Sequence, residues 1–265
     1  MEKKKIEMVS LREGLMLEDG GVVSLVGAGG KTSLMFRLAQ ELSMTGESVL
    51  TTTTTKIFEP DSDQSSCVIV SDSVTRMLDQ AKKLIDKHPH ITAARNRQPD
   101  TGKLIGFSPE AVDVLWESHL FRWILVEADG AAGRPLKAPA DHEPVIPVCT
   151  KHLVGIVGLN AVGRSLADPW VFRLERFAEL TGISPGSDVT EAAVVDVLIH
   201  KNGIFKNASA KAVRIAFLNQ ADTPENRAAG QHIVRLLTEK INSGLKRVVI
   251  GQTRADSPVL DIYDL

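Results

Sequence analysis

Short runs of apolar and β-branched residues alternate along this chain with longer stretches in which apolar residues recur at helical spacing. The stretch 31–44 shows the helical spacing best, because Leu34, Leu38 and Leu42 repeat every four residues. Short runs that predict strands lie at 22–26, 48–53, 67–70, 90–94, 123–127, 153–158, 214–219 and 247–250. This alternation is typical of an α/β domain with a mainly parallel sheet flanked by helices.

Capping residues predict where several helices begin. Ser71 or Asp72 marks the start of a helix that runs to about residue 87, and Ser108 before Pro109 marks another. Pro224 predicts the first turn of a helix that runs to about residue 242.

The stretch 161–212 breaks the alternation, because its pattern is helical throughout. It predicts one helix that begins near Asp168 and a second that begins at Asp188, where Glu191 completes a capping box. We interpret 161–212 as a helical insertion between two strands of the sheet, within a single domain that spans 1–265.

Composition narrows the class of protein. The 265 residues are 43% hydrophobic, and 33 acidic residues against 31 basic ones give a net charge of −2. This balance excludes a mainly disordered chain and any overall attraction to nucleic acid or an anionic membrane. Cys67 and Cys149 are too few for a disulfide scaffold, and no apolar run approaches the roughly 18 residues of a membrane span. We expect a cytoplasmic protein without a nucleic-acid or membrane partner.

A glycine-rich loop after the first strand is the most informative motif. The loop and the helix start that follows read Gly27-Ala28-Gly29-Gly30-Lys31-Thr32-Ser33. Glycines let the backbone turn tightly, so that its N–H groups point at phosphate oxygens beside the positive end of the helix. Lys31 is expected to reach the terminal phosphates of a nucleotide, and the Thr32 hydroxyl to hold Mg²⁺. The motif predicts a phosphate-binding loop (P-loop), the alternative being a turn that is glycine-rich for packing.

The loop departs from the usual eight-residue pattern at one position. The first glycine of that pattern falls at position 25, where this chain has Leu25. The remaining G-x-x-G-K-T resembles the shorter loop of the Mur ligase group of ATP-dependent amide-forming enzymes.

A second strand end carries two acids. Glu127 and Asp129 follow the apolar run 121–126, and either carboxylate could orient Mg²⁺ or its water. We predict a metal site at Thr32 and Asp129. We also predict that 130–133 is a mobile loop and that Arg134 and Lys137 are cations for the terminal phosphate. The alternative is that the acids end a strand and face water.

A third strand end resembles a guanine-reading motif. Asn219 and Asp222 have the N-x-x-D spacing in which the aspartate accepts from the guanine ring, although Gln220 replaces the usual lysine. Asp222 or Thr223 acting as a helix cap is the alternative.

Two further segments leave their roles open. The run 51–55, five threonines before Lys56, suits either contacts to phosphate, magnesium or a second substrate, or a plain β-strand. Asp141-His142-Glu143 suggests a solvated loop rather than a metal or partner site.

Three segments together resemble one family. They are 25–33, 51–56 and the run 126–139 that reads VEADGAAGRPLKAP. The family is that of selenium-dependent hydroxylase accessory proteins, YqeC type. The resemblance implies a P-loop NTPase-like fold and a role in maturing selenium-dependent molybdenum hydroxylases, so that the partner is the client hydroxylase or its cofactor-maturation machinery. The arrangement of motifs also looks like that of metallochaperone GTPases.

The sequence supports three hypotheses about activity. The first is a Mg²⁺-dependent nucleoside triphosphate hydrolase, with GTP favoured and ATP as the alternative nucleotide, in which Lys31, Asp129, Glu127 and Arg134 act in catalysis. The second is an ATP-dependent ligase or kinase that acts on a small molecule. The third is an adaptor that binds nucleotide without hydrolysing it.

Overall fold

The computed structural model describes residues 9–240 and 243–265. Its strands are β1 (Gly21–Gly27), β2 (Val49–Thr53), β3 (Lys56–Phe58), β4 (Val68–Val70), β5 (His90–Ala94), β6 (Asn96–Arg97), β7 (Lys103–Ile105), β8 (Trp123–Glu127), β9 (Leu136–Lys137), β10 (Thr150–Gly158), β11 (Val171–Phe172), β12 (Val213–Asn219), β13 (Arg247–Gly251) and β14 (Val259–Asp264). Its α-helices are α1 (Leu11–Gly14), α2 (Lys31–Met44), α3 (Val74–Leu84), α4 (Pro109–Glu117), α5 (Leu174–Thr181), α6 (Glu191–Ile199) and α7 (Pro224–Thr238).

Nine strands form one sheet in the order β14-β13-β12-β10-β1-β8-β2-β5-β4. All neighbours are parallel except β14, which runs antiparallel to β13. The α/β class and the mainly parallel sheet are therefore confirmed, and each predicted strand is present in it. The pattern did not predict β14, a half-buried edge strand, nor the short strands of two smaller sheets, β3-β7-β6 and β11-β9.

Helices cover both faces of the sheet. Successive residues of β1 point to opposite faces, so Leu25 packs with α1 and α2, whereas Val22 and Val26 pack on the other side. That second side carries α3 and α4 near one end and α5, α6 and α7 near the other. Because β1 is buried on both faces, its sequence is apolar almost throughout.

Most predicted helix starts agree with the structure. The helix 31–44 and the start at Ser108-Pro109 are confirmed. The predicted caps Ser71 and Asp72 are wrong, because the hydroxyl of Ser73 accepts from the amide of Arg76. The helix that begins at Pro224 ends at Thr238, short of the predicted end near residue 242, which lies outside the described residues. Within 9–240 and 243–265, every helix is too short or too polar to cross a lipid bilayer.

In the stretch 161–212, the two helices begin later than predicted. The first, α5, begins after Arg173, because the chain from Asp168 first forms β11 beside β9. The second, α6, is capped by Thr190 rather than by Asp188, whose backbone instead pairs with Ser165 in an isolated bridge. Both helices pack into the hydrophobic cluster that also contains α7.

Candidate functional site

The central position of β1 brings the predicted motifs to one edge of the sheet. Its neighbours are β8 and β10, and β12 lies beyond β10. Since these strands are parallel, the glycine loop, the two acids after β8 and Asn219 after β12 all lie at their carboxyl ends. With β1 and α2, the loop forms a strand–loop–helix unit.

The loop needs its glycines for conformation and for space. Gly27, Gly29 and Gly30 all have positive φ angles, of 91°, 82° and 121°. A Cβ atom on Gly29 would lie 2.6 Å from the Cα of Gly158 and 2.8 Å from the carbonyl oxygen of Pro135. The loop is thus packed closely against the end of β10 and the segment before β9.

Three loop amides are already bonded within the protein. Gly27 donates to Oδ2 of Asp129 at 3.0 Å, Ala28 to the carbonyl of Ile156 at 2.9 Å, and Gly29 to the carbonyl of Arg134 at 3.1 Å. In the structure these three N–H groups point at acceptors of the protein itself. The helix start is different, since Gly30 caps α2 without a side-chain hydrogen bond and Lys31, Thr32 and Ser33 form its first turn. Amides of a first helical turn lack intrahelical acceptors, so they are the donors that remain for an anion.

Lys31 lies beneath the loop, almost fully buried, with a side chain only 4% exposed. Its Nζ donates to the carbonyl oxygen of Gly27 at 2.7 Å and lies 3.2 Å from Oδ1 of Asp129. Burial alone would lower the pKa of this ammonium, but the negative charges of Asp129 and Glu127 raise it above its ordinary value. Lys31 is therefore a charged lysine at neutral pH, held by carboxylates at the edge where phosphate would bind.

The Thr32 hydroxyl is paired with the other acid. It donates to Oε2 of Glu127 at 2.6 Å, whereas Asp129 is occupied by Gly27 and by the lysines Lys31 and Lys137. The predicted pairing of Thr32 with Asp129 is not observed. Burial raises the pKa of Glu127, and the charge of Lys31 opposes that rise.

Thr32 and Glu127 have the chemistry of a magnesium site. A hydroxyl and one carboxylate suit an ion that takes its remaining ligands from phosphate and water. No cluster of three or more acidic, histidine or cysteine side chains suited to a metal occurs in the described ranges.

Lys137 is not the free cation that the sequence predicts. It is fully buried, and its Nζ donates to Oδ2 of Asp129 at 2.9 Å, to the carbonyl of Gly130 at 2.6 Å and to Oε2 of Glu143 at 2.7 Å. The prediction that Glu143 lies in a solvated loop is also wrong. Glu143 is buried, and its carboxylate accepts hydrogen bonds from both terminal nitrogens of Arg173, at 2.6 and 3.1 Å. Burial by itself would raise the pKa of Glu143, but hydrogen bonds from Arg173 and Lys137 lower it to about 2.

Arg134 lies beside the loop, but its side chain points elsewhere. Its guanidinium pairs with Asp168 at 2.6 Å and donates to the carbonyl of Ala132 at 2.6 Å, and only its main-chain carbonyl contacts the glycine loop. The predicted contact to a terminal phosphate therefore requires this exposed ion pair to open.

Asn219 reaches the glycine loop directly. Its amide donates to the carbonyl of Gly29 at 2.7 Å and to the hydroxyl of Thr253 at 3.2 Å, and its side-chain oxygen accepts from the Thr253 amide at 3.0 Å. Gln220 turns inward toward Gly158 rather than over a base site.

Asp222 is exposed at a cleft of about 460 Å³. The lining also includes Thr223, Arg227 and Gln252. Thr223, not Asp222, caps α7 by accepting from the amide of Asn226. The carboxylate of Asp222 is thus available to a ligand in that cleft.

The threonine run supports the strand rather than a ligand. The hydroxyls are bonded inside the protein, Thr51 to His90 and Thr92, Thr52 to the carbonyl of Ala93, Thr53 to that of Glu127 and Thr54 to that of Val145. Lys56 is exposed on β3. Thr51 and Thr52 thereby hold β2 to β5, and Thr53 holds it to the end of β8 at Glu127.

Glu143 and Arg173 are the members of the site that the sequence did not predict. Lys137 bridges Asp129 and Glu143, which are fourteen positions apart in the sequence. Arg173, which binds Glu143, lies thirty positions after it. Neither belongs to a recognisable motif. The only signal was an acid in a proline-rich loop shortly after the 126–139 segment.

Comparison with known proteins identifies the family. A family model described as YqeC protein matches residues 23–175. The "Uncharacterized protein YqeC" of Escherichia coli (strain K12) is 36% identical over 218 residues, which make up 82% of this chain and 83% of that protein. Two crystal structures of FtsY from Mycoplasma mycoides align with 93% and 95% of this chain and 67% and 65% of theirs, with TM-scores of 0.37 and 0.39 and identities of 12% and 11%, values too low to indicate a shared function. The family match includes the glycine loop, both acids and Lys137, and the chain belongs to the YqeC protein family.

Proposed function

We propose that this protein binds a nucleoside triphosphate with Mg²⁺ at the glycine loop and hydrolyses it as a switch. The single observation that carries the proposal is the group formed by Lys31, Thr32 and Glu127 at the start of α2, where no side chain caps the helix. A buried lysine and a threonine hydroxyl that meets a carboxylate are the parts that phosphoryl-transfer sites of this class require.

Each part has a role in this proposal. The amides of the first turn of α2 and its positive end bind phosphate oxygens. Lys31 moves from Asp129 to the terminal phosphates and stabilises the charge that develops on them. Thr32 and Glu127 hold Mg²⁺, directly or through water, and the ion supplies further charge neutralisation.

GTP is the nucleotide that we propose. Asp222 is exposed at the cleft beside β12, and Asn219 holds the glycine loop from the same strand end. A carboxylate at that position accepts from the ring N–H and amine of guanine, whereas adenine offers no matching pair of donors.

The resemblance to selenium-dependent hydroxylase accessory proteins supports a role in maturation of a client molybdenum hydroxylase. In this proposal, hydrolysis changes the contacts of the 130–137 segment. The carbonyl of Arg134 accepts from the glycine loop, and Lys137 binds Glu143, which in turn binds Arg173 in the stretch 161–212. A loss of phosphate contacts at one end would thereby alter the surface that the client meets.

Nucleotide binding is the first test. The wild type, Lys31→Met and Lys83→Met are each heated with Mg²⁺ and GTP, ATP or no nucleotide, and phosphate release is measured in parallel. Lys83 is the control because it is an exposed lysine at the end of α3. A ligand at about 100 times its dissociation constant stabilises the folded state by about 2.7 kcal/mol, so a GTP-specific rise in melting temperature is expected for the wild type and Lys83→Met only.

Other results separate the alternatives. A rise with ATP and phosphate release only in the presence of an acceptor would support the small-molecule ligase or kinase. Tight binding without release would support the adaptor. No rise with either nucleotide, or an equal rise for Lys31→Met, would overturn the nucleotide site.

A further inference from the structure

Lys137 satisfies all three of its donors inside the protein, on two carboxylates and one carbonyl oxygen. We propose that Lys137 is a positioning residue of the nucleotide site, which keeps Asp129 charge-compensated so that Lys31 is free to bind phosphate. This inference rests on the proposed function, and it assigns to Lys137 a role without contact to the nucleotide.

The two carboxylate oxygens of Asp129 are held by different groups. Oδ2 accepts from the Gly27 amide at 3.0 Å and from Lys137 at 2.9 Å, while Oδ1 faces Lys31 at 3.2 Å. Asp129 is only 1% exposed, so water does not compensate its charge. If Lys31 were its sole cation, moving that lysine to phosphate would leave a buried, unpaired carboxylate, which is strongly unfavourable.

Lys137 removes that conflict because it stays in place when Lys31 moves. Three cations, Lys31, Lys137 and Arg173, balance three carboxylates, Glu127, Asp129 and Glu143, along one chain of contacts. Arg173 binds Glu143 through two nitrogens, and Glu143 in turn fixes Lys137. Arg173, the residue just before α5, therefore helps to hold Asp129 in place under the glycine loop.

A double-mutant cycle on nucleotide affinity tests this role. Mg·GTP is titrated into the wild type, Lys137→Met, Asp129→Asn and the double variant, at a temperature where thermal melts show each to be folded. Lys137→Met is expected to weaken binding about tenfold or more, because Asp129 then retains Lys31. In the Asp129→Asn background the same substitution is expected to change affinity by less than about threefold, since residue 129 then carries no charge that retains Lys31. Glu127 lies farther from the Lys31 Nζ, at 3.9 Å against 3.2 Å for Asp129.

A merely structural role for Lys137 predicts a different pattern. Lys137→Met would then weaken Mg·GTP binding equally in the wild-type and Asp129→Asn backgrounds. That outcome, or an unchanged affinity of Lys137→Met, overturns the proposal. Arg247→Met is the matched control, because Arg247 also pairs with an acid, Asp264, but on β13 and β14 away from the glycine loop.

Glu143→Gln covers the case in which Lys137→Met does not fold. It removes the charge that fixes Lys137 beside Asp129, so Mg·GTP affinity is expected to fall, and to fall less in the Asp129→Asn background. An unchanged affinity of a folded Glu143→Gln, or equal losses in both backgrounds, overturns the role of Lys137. If the wild type itself binds neither GTP nor ATP, the proposed function fails first, which is a different result from binding that ignores Lys137.

Discussion

At Gly29, backbone conformation and packing together exclude a side chain. Its φ of 82° lies in the left-handed region, and the atoms around it belong to Pro135 and Gly158. Gly46, at the end of α2, has nearly the same φ of 83° but no atom within 4 Å of a Cβ position. A comparison of the two glycines therefore separates the cost of left-handed backbone from the cost of a Cβ atom that is packed too closely.

We predict that Gly29→Ala destabilises the protein more than Gly46→Ala. Left-handed backbone costs a non-glycine residue about 1 kcal/mol at either position, and the overpacked Cβ at residue 29 adds about 1–3 kcal/mol. Urea unfolding of both variants measures the difference in free energy of unfolding. Equal losses would mean that the loop moves away from β10 without cost.

The sequence predicts the glycine loop well but not what surrounds it. The spacing from Gly27 to Thr32 is local, and a strand, a turn and a helix follow from it directly. The acceptors of the loop amides come from residues 129, 134 and 156, and no local pattern relates those positions to residue 27. For the same reason Lys137 resembled a free cation, although the fold buries it between two acids.

Helix α6 shows how a capping pattern is misread by two residues. Asp188 and Glu191 have the spacing of a capping box. Thr190, the residue before Glu191, also carries a hydroxyl that can cap a helix. The isolated bridge between Ser165 and Asp188 ties the backbone before the helix, so the helix begins at Glu191 and Thr190 becomes the cap. The bridge to Ser165, a contact that the local sequence does not reveal, thus accompanies the shift of the cap from Asp188 to Thr190.

Thr190→Ala is therefore expected to cost about 1 kcal/mol, whereas Asp188→Ala is expected to be within about 0.5 kcal/mol of the wild type. The Thr190 hydroxyl accepts from the Ala193 amide at 3.2 Å, and alanine leaves that donor without its partner. Thermal or urea unfolding of both variants compares them. A larger loss for Asp188→Ala would restore the cap that the sequence favoured.

Strand prediction succeeded for the buried strands and for the short edge strand β4, but it missed β14 and the short strands of the two smaller sheets. The parallel strands β1, β8, β10 and β12 are nearly continuous apolar runs, because helices cover both of their faces. The pairs β9 with β11 and β6 with β7 have only two or three residues each, too few for any periodicity. Their positions depend on tertiary contacts alone.

The protein as a folded unit should be sensitive to mild acid. Burial lowers the pKa of His90 from its ordinary 6.5 to about 4, and burial together with the charge of Lys151 lowers that of His152 to about 4. Between these values the unfolded chain binds protons that the folded chain does not, so stability falls as the pH drops from 6.5 to 4.

The expected loss is up to about 3 kcal/mol for each histidine, from 1.36 kcal/mol per pKa unit. The double variant His90→Gln, His152→Gln should show a flatter profile of unfolding free energy against pH across this range. His119→Asn is the control, because His119 is exposed. A double variant as acid-sensitive as the wild type would assign the loss to other groups.

The place of β1 in the sheet has a consequence for how the protein is made. Residues 21–27 leave the ribosome early, but their neighbours β8 and β10 lie at 123–127 and 150–158. The amides of the glycine loop donate hydrogen bonds to residues 129, 134 and 156. The loop therefore lacks these contacts until more than half of the chain has been synthesised. The glycine loop, although it follows the first strand in the sequence, therefore takes its shape only after residues about 100 or more positions later have been synthesised.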